Sequence, residues 1–140
     1  MKPKTLLAFL SVMVCAAFLA LSCATRPGPV PEGLSVLELI QRGQEASDRN
    51  RFAVALNYYQ TILERFPHDM DAVCAAEYEI AFIHYKQRNF DLAREKFNAL
   101  LARYDSPDAA LLPPQFKILS NIVLARMDET ENNRRRRHRR

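Results

Sequence analysis

Two stretches decide the fold: "RNRFAVALNYYQTILERFP", residues 49–67, and "QRNFDLAREKFNALLARYD", residues 87–105. Laid over each other 38 residues apart, they pair Phe52 with Phe90, Ala55 with Ala93, Tyr59 with Phe97 and Ile62 with Leu100. Leu63 with Leu101, Arg65 with Arg103 and Phe66 with Tyr104 complete seven matches at one offset. Phe52, Ala55, Tyr59, Ile62 and Leu63 lie on one stripe of a helix. The alanine lets a neighbouring helix approach closely, and the aromatic one turn later fills the space beside it. A helix apolar on a face it cannot bury alone calls for a stacked repeat.

A second helix is expected before each of these. Residues 35–48 carry Leu39, Ile40, Gly43 and Ala46, and residues 71–87 carry Tyr78, Ile80, Ala81 and Tyr85. Gly43 and Ala81 keep the 38-residue offset and give each helix pair a small residue for close contact. "DRNR" and "KQRN" supply polar turns. A third segment, residues 113–131, places Phe116, Leu119, Ser120 and Val123 as a first helix would, starting at Pro113 and Pro114. No second helix is expected after it, which suits a cap on an open stack.

These residues resemble the tetratricopeptide repeat. Gly43, Phe52, Ala55, Tyr59 and Pro67 fit one copy; Ile80, Ala81, Phe90, Ala93 and Phe97 fit the next. The first-helix aromatic of the family is Leu39 in one copy and Glu77 in the other, and Asp105 stands where the second copy would end in proline. The period of 38 exceeds the common 34, with the extra residues assigned to "HDMDAVCA", residues 68–75, in the loop and the helix after it. The resemblance implies an all-α solenoid of two helix-turn-helix repeats and a capping helix over residues 34–131. It also implies a partner groove lined by the first helices: Tyr78, Phe82, Tyr85 and Lys86 as an aromatic wall, facing Gln44, Ser47 and Asp48 as a polar one. The alternative is that the capping helix packs over the aromatics.

The chain of 140 residues begins "MKPKTLLAFLSVMVCAAFLALSC". Lys2 and Lys4 precede an uncharged apolar run, Leu6 to Leu21, which ends in small residues and a cysteine; this is the order of a secretory signal peptide. It resembles a bacterial lipobox, with Ser22 before Cys23 and Ala20, not leucine, three before it. The reading is a signal peptide over 1–22, a lipidated Cys23 and a Pro-rich extended tether over 23–33. An uncleaved anchor and plain secretion are the competing readings; the apolar run is short for a span.

The net charge of +4 is uneven, because six arginines crowd into Arg134–Arg140. Residues 132–140 are expected to be a disordered tail that binds anionic headgroups, an acidic partner or nothing specific; an exported chain leaves nucleic acid as no expected partner.

Little points to catalysis. His68 reads as part of a solvated turn, His84 as packing, and Cys74 as a small buried hydrophobe. No Cys/His cluster suggests a metal, and neither a cofactor nor catalytic residues are expected. The resulting expectation is a non-catalytic protein-interaction subunit of a bacterial cell envelope, lipid-anchored on the periplasmic side of the outer membrane. It is similar to assembly lipoproteins and cell-division coordinators of that class. The alternatives are a small-ligand or transporter-accessory protein using the Tyr78/Phe82/Tyr85 pocket, and a cell-wall protein held by its tail.

Overall fold

A computed structural model describes residues 27–139. The segment expected to be a signal peptide, the expected lipidation site Cys23 and the first part of the expected tether fall outside these residues. The described part is helical throughout: α1 (Val36–Asp48), α2 (Phe52–Arg65), α3 (Met70–Lys86), α4 (Phe90–Arg103), a 3-10 turn (Pro107–Leu111) and α5 (Pro114–His138). α1 packs on α2 and α3 on α4, α2 joins the pairs through α3, and α5 lies against α4 and α3. The all-α solenoid of two helix pairs and a closing helix is therefore the observed architecture.

Each start has a local cause. Ser35 and Glu38 form a reciprocal capping box at α1. The Asp69 carboxylate accepts from the Ala72 amide at 3.0 Å and caps α3. Pro114 opens α5, where its missing N–H leaves nothing unsatisfied.

The two polar turns are superimposable in kind. Asn50 (φ 55°) and Arg88 (φ 62°) both adopt the left-handed conformation, 38 residues apart. In each, the amide of that residue and the next bond back to the ending helix: Asn50 to Ser47 and Arg51 to Ala46, Arg88 to Tyr85 and Asn89 to His84. This paired closure satisfies carbonyls that a helix end leaves open.

The core has two apolar clusters that share α3. Leu39, Ala55, Tyr59 and Ile62 enclose one face of α3 through Ala76, Ile80 and Ile83. Cys74, Tyr78 and Ala81 on its other face pack with Ala93, Phe97, Leu100, Val123 and Met127. Burial on both sides explains why α3 is the most apolar helix along its length. The signature residues behave as spacing predicts: Ala55, Tyr59, Ala81, Ala93 and Phe97 are all fully buried. A Cβ on Gly43 would stand 2.7 Å from the Tyr59 ring, so this glycine exists for close approach.

Three expectations need correction. The four residues beyond the common period extend a helix and not the loop: α3 has 17 residues where α1 has 13. The Arg-rich segment expected to be disordered from residue 132 continues α5 through His138. Arginine is a good helix former, and Glu131 pairs with Arg135 one turn on. The tether is docked from Gly28 onward: Asn57 Nδ2 donates to the Gly28 carbonyl at 3.0 Å, and Arg65 donates to those of Pro31 and Val30 at 2.9 and 3.1 Å.

Candidate interaction surface

The first helices of the units, α1, α3 and α5, carry the residues predicted to line a groove. α3 holds a continuous aromatic row. Tyr78 stacks on Phe82 with ring centres 5.8 Å apart, and Phe82 stacks on Tyr85 at 5.6 Å. The i, i+4 and i+7 spacing sets this row. Each end of it is held by another helix: Tyr78 meets Phe97 of α4 and Phe116 of α5, both at 5.7 Å, and Tyr85 meets Phe90 of α4 at 5.8 Å.

Exposure divides the row. Tyr78 is buried beneath α5, so the packing alternative holds for it. Phe82 and Tyr85 are half-buried and keep part of their surface in water. Burial pushes the Tyr78 phenol up, Glu79 adds to this, and Arg126 opposes it. Ile118 and Ile122 lie on the side of α5 turned away from its buried residues Ser120, Val123 and Met127. Ile118 and Ile122 are 59% and 43% exposed, with Leu119 beside them at 39%. These aliphatic residues of α5 were not singled out as site residues by sequence; their spacing fitted a cap, and only packing shows which side stays open.

The predicted polar wall touches the aromatic one. Lys86 Nζ donates to the Ser47 hydroxyl at 3.0 Å, lies 3.9 Å from the Asp48 carboxylate and sits 5.6 Å from the centre of the Phe82 ring. Gln44, on the adjacent turn of α1, lies close enough to Glu79 to stabilise its carboxylate. The two walls thus form one continuous surface. Ser47 is buried within it, while Gln44 and Asp48 remain exposed. Glu79 is the unexpected member: burial raises its pKa, Asp48 adds to the rise, and Lys86 and Gln44 offset only part of it.

The small residues set aside by sequence take bland positions. Cys74 is fully buried and burial pushes its thiol up, the reverse of an activated nucleophile. His68 is exposed in the α2–α3 turn, and His84 is half-buried on α3. Among the described residues no group of three or more His, Cys, Asp or Glu is placed to hold a metal ion. A cleft of about 720 Å³ lies apart from Tyr78 and Phe82, between the start of α4 and the second half of α5. Arg88, Asp91, Arg94, Thr130 and Glu131 line most of it, with Phe90 and Met127 as its apolar floor.

The repeat arginines show how one position serves two ends. Arg103 clasps Glu77 of the preceding helix with Nε at 2.8 Å and a second bond from its Nη2. Arg65, its counterpart, faces Leu39 where the second copy has Glu77, and clasps the N-terminal carbonyls instead.

Comparison with known proteins agrees with this geometry. The tetratricopeptide repeat family matches residues 40–73 and 78–112. An uncharacterized protein of Treponema pallidum (strain Nichols) is 37% identical over 112 residues, which are 79% of this chain and 45% of that protein. The chain thus spans about half the length of the curated relative it matches. No solved structure matches. With two matched segments, two turns of the same hydrogen-bond pattern, and Ala55, Tyr59, Ala93 and Phe97 buried alike in both copies, the helical part of this chain has the fold of a tetratricopeptide-like solenoid of two helix pairs and a closing helix.

Proposed function

We propose that the array is a non-catalytic scaffold at a bacterial envelope, tethered through Cys23, which receives a protein partner on the face formed by α1, α3 and α5. Tetratricopeptide repeats serve in general as protein-interaction modules, and that coarse role comes with the fold. The observation that carries the finer reading is the strip of uncovered apolar surface on that face. Phe82 and Tyr85 keep exposed ring area on α3, next to the polar residues of α1. Gln44, Asp48 and Lys86 rim the strip with hydrogen-bonding groups. An apolar centre with a polar rim suits a peptide or helix with a few bulky anchors. The cleft at α4 and α5 is mostly charged, which favours this reading over a small apolar ligand.

The test is affinity purification from solubilised envelope with the wild-type chain and with Phe82→Ala/Tyr85→Ala. Both residues are partly exposed, so the variant should fold, as circular dichroism will verify. A partner recovered with wild type and lost with the variant supports the reading; an identical set of captured proteins overturns it. The tether is tested separately: a Cys23→Ala chain that still incorporates labelled fatty acid refutes lipidation at Cys23.

A further inference from the structure

We propose that the array stands end-on to an anionic bilayer, with its α1–α2 and α3–α4 turns and the arginine tip of α5 against the lipid headgroups. The proposal deepens the envelope reading and takes from it only that a bilayer is present.

Short turns reverse the chain at every step, so alternate ends of the helices gather at opposite ends of the array. One end collects the turns at 49–51 and 87–89 and the far end of α5. The other collects the α2–α3 turn, the start of α1 and the segment between α4 and α5. The charges separate the same way. At the first end stand Arg49, Arg51, Arg88 and the five described arginines of the tip, all exposed. The acids Glu45, Asp48 and Glu131 there each lie within 4.0 Å of a Lys or Arg, and Asp91 at the start of α4 is exposed beside them. At the second end the exposed acids Glu32, Asp69, Asp71, Asp105 and Asp108 outnumber the basic Arg65, Arg103 and Lys117, of which Arg103 is paired with Glu77. The array is an electrical dipole along its helix axes, basic at one end and acidic at the other.

The tip also projects. α5 has 25 residues against 14 in α4; Arg134 lines one cleft with Arg88 and Asn89, so residues 135–139 reach about 8 Å past the α3–α4 turn. From Asn132 onward it carries no acidic residue. A helical display fixes these charges in space, which a disordered tail would not.

The N-terminal segment gives the direction. Followed backward from Pro31 to Gly28, the chain moves from beside Arg65 to beside Asn57, toward the start of α2. That is the basic end. Four residues lie between Cys23 and Gly28, so the two are at most about 18 Å apart. The covalent attachment and the basic tip therefore work from the same side, and two weak contacts with one surface reinforce each other. Each arginine near an anionic surface adds about fivefold to binding, and the effect is screened at high salt. The acidic end is repelled from the same surface.

The full chain, purified from membranes and reconstituted, is compared by hydrogen exchange in neutral phosphatidylcholine vesicles and in vesicles containing phosphatidylglycerol. Association with neutral vesicles reports the N-terminal attachment; the change on adding anionic lipid reports the basic end, so the two readings can fail separately. The expected result is at least tenfold slower exchange in the turns at 49–51 and 87–89 and in residues 131–139 with anionic lipid, reversed by high salt. The turn at 66–69 should not change. Arg134→Gln/Arg135→Gln/Arg136→Gln/Arg137→Gln should abolish most of the slowing while leaving the helical spectrum of the array intact. Equal exchange in both vesicles overturns the proposal. So does slowing at the 66–69 end, or slowing by a soluble polyanion but not by anionic vesicles.

Discussion

Replacing Gly43 with alanine puts the close approach of α1 and α2 to a direct test. A methyl at this position would stand 2.7 and 2.8 Å from two carbons of the Tyr59 ring, well inside contact distance. The ring cannot swing clear, because Tyr59 is fully buried and walled in by the first core cluster. Overpacking of this kind costs about 1–3 kcal/mol. Alanine in a helix interior recovers about 1 kcal/mol over glycine, which sets the two effects against each other. At 2.7 Å the clash falls in the upper part of that range, about 2–3 kcal/mol, so the net loss should be about 1–2 kcal/mol. For a domain of this size that lowers Tm by roughly 5–10 °C. Chemical denaturation of wild type and Gly43→Ala, with the m-value shown to be unchanged, measures it. Tyr59→Leu in the same background should recover part of the loss, since a smaller side chain makes room. A Gly43→Ala chain as stable as wild type, or more stable by the helix-propensity gain, would refute the argument.

Other outcomes follow from single features. Arg88→Gly removes a side chain from a left-handed conformation and should raise stability by about 1 kcal/mol, read as an upward shift of the denaturation midpoint. Burial raises the Glu79 pKa, so the folded chain holds that proton more tightly than the unfolded chain, and stability falls as pH rises through and above the ordinary carboxylate range. Glu79→Gln should therefore raise Tm near neutral pH, with the gain vanishing in acid where both forms are uncharged; a gain that persists in acid would contradict this. Arg65→Ala should release residues 28–31, seen as greater mobility of a spin label placed at exposed Pro29, while Arg103→Ala should leave that label as restricted as in the unaltered chain.

The repeat was legible because packing imposes it on side chains one position at a time. Gly43 and Ala81 face Tyr59 and Phe97, and Ala55 and Ala93 let the pairs close, so the same residue types return at one offset. What stayed hidden was carried by backbone or by a distant helix. The docked N-terminal segment is held by Asn57 and Arg65 through carbonyl oxygens, which have no sequence signature. Burial of Tyr78 needs Phe116, 38 residues further on, and nothing in either local pattern says which face of α5 turns inward. The arginine run read as disorder by composition, yet its helix follows from propensity and from the Glu131–Arg135 pair that carries α5 across the boundary. The residues named from sequence on α1 and α3 thus meet in one continuous surface, while the cover that α5 lays over Tyr78 was not legible.

The central claim is that a protein partner lies along the α1–α3–α5 face. A photoreactive side chain placed at Phe82, and in a separate chain at exposed Glu95 of α4, measures this most directly after irradiation in intact cells. The account predicts a discrete cross-linked species from position 82 and none from position 95. Cross-linking from position 95 alone would contradict it.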